Sequence, residues 1–173
     1  LKVKKKIIGL DSMNESYLIV IPARGGSKRL RKKNIRLFSG KPLLAWTIDL
    51  ALKIPGKNNV VVSTEDREIA NIAEKYGANI PFLRPAALAD DNVSAVEVMK
   101  HAVLSLNFNG LVILLQPTSP LRSIDDVIKG INLIKDKKNA VISVKKYIHN
   151  SKLTTFSKPG EKFIPLSKSN KDI

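Results

Sequence analysis

Short apolar runs recur along most of the chain. They are rich in Ile, Val and Leu and only a few residues long, which is typical of strands buried on both faces of a parallel sheet. Five such runs are predicted as strands, at residues 17–21, 60–62, 80–83, 111–115 and 140–144.

Amphipathic segments fill the intervals between these runs, with apolar residues three or four positions apart as on one face of a helix. The residues predicted to face inward are, in chain order, Leu44, Ile48 and Ala51; Ile69, Ile72, Ala73 and Tyr76; Val96, Met99, Val103 and Leu106; and Ile124, Val127, Ile128 and Ile131. Alternating buried strands and amphipathic helices predict an α/β protein with a doubly wound, mostly parallel sheet.

A few polar and special residues predict where these helices begin and end. Pro42 suits a first helical turn, and Ser63 with Asp66 predicts an N-terminal cap for the following helix. Ser123 predicts another cap, and Gly77 predicts a helix end because glycine tolerates the left-handed conformation found there. These residues therefore predict where the loops between strands and helices lie.

The loop after the first predicted strand has the composition of an anion-binding site. From Arg24 to Lys41 the chain carries eight Lys or Arg residues and no Asp or Glu. Gly25 and Gly26 allow a tight turn that brings backbone N–H groups close to a ligand. The patterns G-x-x-x-x-G-K-[ST] and G-x-G-x-x-G are both absent, which argues against a P-loop or an ordinary dinucleotide site. The loop predicts binding of a polyphosphate rather than a plain basic surface.

Overall charge and composition leave two classes of partner open. The net charge of +15 and the isoelectric point near 10.1 suit nucleic acid or an anionic small substrate. Aromatic residues make up only 5% of the chain, which is low for a protein that stacks on bases. We therefore favour the small substrate, with no nucleic-acid partner. Cysteine is absent, which excludes disulfides and thiolate metal sites.

The size and the termini lead to expectations about organisation and location. A chain of 173 residues suits one domain. We interpret residues 1–12 as a basic N-terminal extension and residues 13–173 as the domain itself. No apolar run approaches the ~20 residues that span a membrane, and the opening segment is too short in apolar residues for a secretory signal. We expect a cytoplasmic protein without a membrane partner.

Three polar segments follow predicted strands: residues 24–34, Arg84 with the turn after it, and residues 116–122. In a doubly wound sheet, ligands bind outside the carboxyl ends of the strands. These segments should therefore converge on one site although they are far apart in sequence.

Their motifs resemble those of the CMP-sialic acid synthetases and related acylneuraminate cytidylyltransferases. The matching segments are A-R-G-G-S-K at residues 23–28 followed by Lys33 and Asn34, R-P-x-x-L-A-x-D at residues 84–91, and Q-P-T-S-P-L-R at residues 116–122. The resemblance covers roughly residues 17–155. It implies a Rossmann-like nucleotide-diphospho-sugar transferase fold and an enzyme that joins CTP to an acidic nine-carbon sugar, with Mg²⁺, giving the CMP-sugar and pyrophosphate.

The resemblance also implies roles for individual residues. Arg24 and Lys28 are expected to act on the triphosphate as catalytic cations, Gln116 to approach the sugar, and Lys152 is a weaker candidate on the sugar side. The expected substrate-binding residues are Ala23, Gly25, Gly26, Ser27, Lys33, Asn34, Arg84, Ser94, Gln116, Thr118 and Ser119.

Other features of the resembling family have no counterpart before Ile173. They are a D-x-D-like metal-binding segment and an arm that builds a dimer, so the domain is interpreted as C-terminally truncated. No metal ligand is assigned in this chain, the Mg²⁺ ligands are expected beyond its end, and a homodimer is expected of the complete protein. Asp90 and Asp91 are interpreted as negative charge at a helix N-terminus, and residues 63–66 as mainly structural.

Two questions stay open at the level of sequence. Sialic, legionaminic and pseudaminic acids all fit as the sugar. A truncated nucleotide-binding fragment or a pseudoenzyme without turnover is the alternative to an active cytidylyltransferase.

Overall fold

The computed structural model describes residues 16–134 and 140–143. The chain divides into two compact units, Leu1–Val141 and Ile142–Ile173, and only residues 142–143 of the second are described. In the first unit the strands are β1 (Ser16–Pro22), β2 (Leu37–Phe38), β3 (Lys41–Pro42), β4 (Lys57–Ser63) and β5 (Leu111–Leu114). The helices are α1 (Leu43–Ala51), α2 (Arg67–Lys75), α3 (Ala95–Ser105) and α4 (Ile124–Leu133).

Within the described residues, the central sheet has three parallel strands in the order β4–β1–β5. Ile19 of β1 pairs with Val60 on one side and with Ile113 on the other. Residues 17–21 of β1 are at most 2% exposed, so this strand is covered on both faces as its apolar run predicts.

Helices cover both faces of the sheet. Ile19 and Ile21 belong to a cluster that includes residues of α1 and α2, whereas Leu18 and Val20 pack with Ala102 of α3. The chain goes from β1 through α1 to β4, then returns through α3 to β5 on the other side of β1. This reversal confirms the doubly wound α/β prediction and places a topological switch point at β1.

Most predicted boundaries match the structure. Leu44, Ile48 and Ala51 are fully buried on α1. Gly77 follows α2 with φ +88°, and Ser123 caps α4 by accepting a hydrogen bond from the backbone N–H of Asp126. The predicted cap at Ser63 is wrong, because Ser63 is the fully buried last residue of β4. Asp66 alone caps α2, accepting from two backbone N–H groups.

Two predicted strands are not formed in the described residues. Residues 80–83 are irregular, and the contact with the sheet is a single parallel bridge between Val61 and Asn79. The contact with β4 is therefore made by Asn79, one residue before the apolar run that was predicted as a strand. Residues 140–143 have no strand assignment, and Ile142 is 52% exposed. Val144 lies outside the described residues.

The buried face of α3 is rotated from the predicted one. Val96 is 51% exposed, whereas Val98 and Ala102 are buried, and Met99 and Val103 are half-buried beside them. The predicted face counted only bulky apolar residues, so it missed a small alanine that allows the helix to approach the sheet closely.

A small antiparallel hairpin, β2–β3, lies within the stretch that the sequence indicated only as a basic loop. Ser39 and Gly40 form its turn with φ +48° and +86°. The indole N–H of Trp46 donates to the carbonyl of Phe38 at 2.8 Å and fixes the hairpin on α1. Strands of two residues are too short to show a periodicity. No helix in the described residues is long and apolar enough to cross a membrane.

Candidate functional site

A cavity of about 260 Å³ opens at the carboxyl edge of the sheet, at the switch point beside β1. All three polar segments singled out in the sequence contribute to it, as the topology requires. Its lining includes Arg24, Ser27, Lys33, Asn34, Arg84, Asp90, Asp91, Gln116 and Thr118, with apolar walls from Pro22, Leu88, Val93, Ala95, Val98 and Pro117.

Backbone and amide hydrogen bonds fix the loop after β1, residues 23–34, which we call the basic loop. The N–H of Ala23 donates to the carbonyl of Ser63 at 3.0 Å, so pairing with β4 continues past the end of the strand. Asn34 is 5% exposed, and its Nδ2 donates to the carbonyl of Arg24 at 2.8 Å. Asn34 thereby closes the loop on itself and fixes the backbone at Arg24.

Glu65 connects the basic loop with Arg84. One carboxylate oxygen accepts from the N–H of Gly25 at 2.8 Å, and the other accepts from Nη2 of Arg84 at 2.6 Å. The Arg84 side chain is only 3% exposed, and its backbone N–H donates to the carbonyl of Thr64 at 2.8 Å. A charge-assisted pair this deeply buried holds both segments in one arrangement.

Arg84 keeps one donor free of protein partners. Its Nε is buried and makes no hydrogen bond to any described residue. Buried donors are nearly always satisfied, and Arg84 lines the cavity. This Nε is enclosed by protein atoms, so its missing partner reflects how the Arg84 side chain is packed beside the cavity.

Asp91 neutralises the two cations expected to bind phosphate. Its carboxylate accepts from Nη2 of Arg24 and from Nζ of Lys28, and Arg24 also donates to the carbonyl of Ala89 at 3.4 Å. The hydrogen bond from Lys28, followed by that from Arg24, holds the pKa of Asp91 below its usual value. The same bond to Asp91 raises the pKa of Lys28.

The interpretation of Asp91 as charge for a helix N-terminus is therefore wrong. Ser94 caps α3 instead, and Glu97 completes a reciprocal capping box with it. Asp90 accepts from the N–H of Asn92 within its own turn. Asp91 is held by the basic loop, 63 and 67 residues earlier in the chain.

Seven of the predicted site residues line the cavity, and the other ones that the structure describes lie beside it. Ala23 is buried next to β4, and Lys28 is an exposed rim residue whose side chain is 81% accessible. The Ser94 hydroxyl bonds Glu97, and Ser119 is an exposed residue of the turn after Gln116. Lys152 lies outside the described residues.

The two glycines of the basic loop differ in what they require. A Cβ added to Gly25 would clash with the carboxylate of Asp66, whereas one added to Gly26 meets no described atom within 4 Å. Neither has a positive φ. The close approach that the sequence assigned to both glycines is needed at Gly25, which donates its N–H to Glu65.

Sequence reasoning missed Glu65 and Asp91, the two carboxylates that organise the cations of the site. Each had a local explanation, since each stands just before a predicted helix. The unusual run of cations without a single acid in residues 24–41 was the available signal, because so many positive charges close together need counter-charges from elsewhere.

Known relatives place the chain in a family. The cytidylyltransferase family model matches residues 18–160. A CMP-N,N'-diacetyllegionaminic acid synthase of Legionella pneumophila is 42% identical over 135 residues, covering 73% of this chain and 56% of that protein. An N-acylneuraminate cytidylyltransferase of Escherichia coli is 41% identical over 134 residues, covering 76% and 32%. A pseudaminic acid cytidylyltransferase of Campylobacter jejuni is 48% identical over 86 residues, covering 50% and 37%.

Solved structures agree with the fold. A CMP:2-keto-3-deoxy-manno-octonic acid synthetase complexed with CTP superposes with a TM-score of 0.61 at 25% identity, over 72% of this chain and 49% of that one. A cytidylyltransferase from Leptospira borgpetersenii gives a TM-score of 0.56 at 22% identity, over 69% and 48%, and supports the fold alone. The chain spans about a third to just over half of the length of the three sequence relatives. The family model, the relatives and the fold together establish that this chain belongs to the cytidylyltransferase family.

Proposed function

We propose that the whole protein transfers CMP from CTP to an acidic nine-carbon sugar and releases pyrophosphate. The observation that carries this proposal is the convergence of the basic loop, Arg84 and residues 116–118 on one cavity at the switch point. Relatives named for legionaminic, acylneuraminic and pseudaminic acids support the sugar class. They do not separate the three acids, so the sugar is proposed as a class.

In this proposal the basic loop binds the triphosphate. Arg24 and Lys28 neutralise the phosphate oxygens, and the Ser27 hydroxyl, which lines the cavity, adds a neutral donor. Lys33, Asn34 and Arg84 line the proposed nucleotide end of the cavity. We propose that the backbone of Ala23, Gly25 and Gly26 shapes the loop around the phosphates. Ser94 contributes by capping α3 and so fixing where that helix begins.

The Q-P-T-S segment is proposed for the sugar end. Gln116 and Thr118 reach the cavity from the loop after β5, and Ser119 stands next to them. An amide and two hydroxyls suit the hydroxyls and carboxylate of an acidic sugar. Two prolines stiffen this loop so that its polar groups keep their positions.

The reaction needs no protein nucleophile. The sugar's anomeric hydroxyl oxygen forms a bond to the α-phosphorus, and the bond from that phosphorus to the pyrophosphate oxygen breaks. The hydroxyl proton passes to solvent. Negative charge builds on the phosphoryl and leaving oxygens, where Arg24 and Lys28 stabilise it.

A divalent ion, Mg²⁺, belongs to the proposal, and when bound it would neutralise charge on the phosphates. Within residues 16–134 and 140–143, however, no three His, Cys, Asp or Glu side chains are placed to hold a metal. No described residue is proposed as a ligand of the ion, and no step above passes through it. A homodimer of the whole protein is likewise proposed, and light scattering on the complete protein measures it.

The proposal is tested by nucleotide and sugar selectivity. The complete protein is incubated with Mg²⁺, each of the four ribonucleoside triphosphates and each of the three acids, and CMP-sugar and pyrophosphate are quantified. We expect product with CTP and at least one acid. Pyrophosphate formation that does not depend on an acidic sugar, or equal use of all four nucleotides, would contradict it.

A further inference from the structure

The position of Asp91 has a consequence for how the cavity takes up its ligand. Its carboxylate is shared between Arg24 and Lys28, the two cations of the proposed phosphate site. Asp91 itself lines the cavity, and its side chain is 35% exposed. A ligand in the cavity can therefore approach Arg24 and Lys28 at the place where Asp91 binds them. A carboxylate and a phosphate oxygen compete for the same donors.

We infer that Asp91 is a displaceable counter-ion of the phosphate site, which holds Arg24 and Lys28 in place when the cavity is empty and yields both to an incoming polyphosphate. This inference rests on the triphosphate role proposed above. It makes Asp91 a positioning residue, whereas the sequence alone indicated that Asp91 is negative charge at a helix N-terminus.

The arrangement combines two opposing effects. Asp91 keeps two long, flexible side chains near their working positions, which lowers the ordering cost of binding. It also competes with the ligand, which lowers affinity. Both ion pairs are partly exposed, and pairs of this kind contribute little to stability because water screens them. Competition is therefore modest, so that triphosphate still binds and a departing pyrophosphate is replaced by the carboxylate.

Two other acids that contact the basic loop, Glu68 and Glu65, do not have this position. Glu68 pairs with Lys32 at 2.6 Å, with side chains that are 51% and 54% exposed, and neither residue lines the cavity. Glu65 faces Gly25 and Arg84 rather than the two cations. The Lys32–Glu68 pair is thus a matched control, a surface ion pair of the same loop outside the site.

The test uses inorganic tripolyphosphate, a ligand without base or sugar, and calorimetric titration of the 173-residue chain. Asp91→Asn keeps the size of the side chain and removes its charge, and Asp91→Ala removes the hydrogen bonds as well. Both variants should bind tripolyphosphate roughly 3- to 10-fold more tightly than the unmodified chain. Their affinity should also fall more steeply with salt, because salt ions then replace Asp91 as counter-ions. Glu68→Gln should change neither quantity.

Unchanged or weaker binding by both Asp91 variants, with unchanged thermal unfolding, would overturn the counter-ion role and indicate that Asp91 assists the ligand. Absence of tripolyphosphate binding by all forms would overturn it as well. The result is separable from the proposed function. Equal affinity of the unmodified chain for the four nucleoside triphosphates would argue against cytidylyl transfer while leaving the tripolyphosphate comparison intact.

Discussion

The basic loop after β1 and the Q-P-T-S loop after β5 line the same cavity, but they are held very differently. The basic loop is fixed by Asn34, by Glu65 and by the pairs to Asp91. In the other loop, Gln116 is exposed, and the turn is held by backbone bonds of 3.3 and 3.4 Å from Ser119 and Arg122. Within the described residues, the proposed phosphate side is thus held by side chains from several segments, whereas the proposed sugar side is held by bonds within its own loop.

This difference suggests that nucleotide and sugar recognition can be separated by mutation. Changes in the basic loop or its supports should affect every reaction that uses a triphosphate. Changes in the Q-P-T-S loop should affect the sugar alone. The predictions that follow test this separation, beginning with the largest effect.

Lys28→Ala in the complete protein removes a cation from the proposed leaving group, where charge develops in the transition state. We expect kcat/KM for CTP to fall about 10²- to 10³-fold, as for loss of one transition-state donor. Lys32→Ala is the control, because Lys32 pairs with Glu68 on the surface. Steady-state pyrophosphate release measures both. Equal losses of kcat/KM in the two variants would show that only the total positive charge of the loop matters, not the position of Lys28.

Glu65→Gln leaves the buried Arg84 guanidinium without its counter-charge. Because breaking a buried pair from one side is costly, we expect a loss on the order of 2–4 kcal/mol in the free energy of unfolding. CTP affinity should fall as well, since Gly25 and Arg84 lose their common support. Urea unfolding and calorimetric titration measure the two effects, with Glu68→Gln as the exposed control. Unfolding at the same urea concentration as the unmodified chain would argue against a supporting role for Glu65.

Gly25→Ala and Gly26→Ala distinguish the two glycines. An added Cβ clashes with Asp66 only at Gly25. Gly25→Ala should therefore weaken CTP binding by about 1–2 kcal/mol, the range for a local backbone distortion, and Gly26→Ala should be within about 0.5 kcal/mol of the unmodified chain. Titration with CTP compares them directly. The reverse order would mean that the loop closes differently around its ligand.

The difference between Gly25 and Gly26 could not be predicted from the sequence. Both glycines fit the same motif, and only the position of Asp66 some forty residues later distinguishes them. Strands β1, β4 and β5 could be predicted because buried parallel strands are continuous apolar runs. Residues 80–83 are also a continuous apolar run and were therefore predicted as a strand, but they are irregular. Four apolar residues are too few to distinguish a strand from an irregular segment that is packed in the core.

The convergence of the three polar segments could also be predicted, because it follows from topology. The pairing of Asp91 with Arg24 and Lys28 could not, because it joins loops more than 60 residues apart through side-chain geometry. The sequence thus indicated which segments form the cavity, and the structure shows which carboxylates organise its cations.

Gln116→Ala should produce the smallest effect on nucleotide chemistry. We expect KM for the acidic sugar to rise roughly 3- to 10-fold from the loss of one hydrogen bond, with KM for CTP unchanged. Initial rates with each substrate varied in turn give both constants for the complete protein. A parallel rise in KM for CTP would remove the distinction between the two loops.

The most direct test of the organised phosphate side is CTP titration of the 173-residue chain, followed by backbone amide resonances. We predict weak but saturable shifts confined to residues 24–34, 65–66, 84–91 and 116–118, the segments that form or support the cavity. Tripolyphosphate should reproduce the shifts in the basic loop. Saturable shifts centred elsewhere, such as on the exposed face of α3, or no response in the basic loop at saturating CTP, would contradict the account.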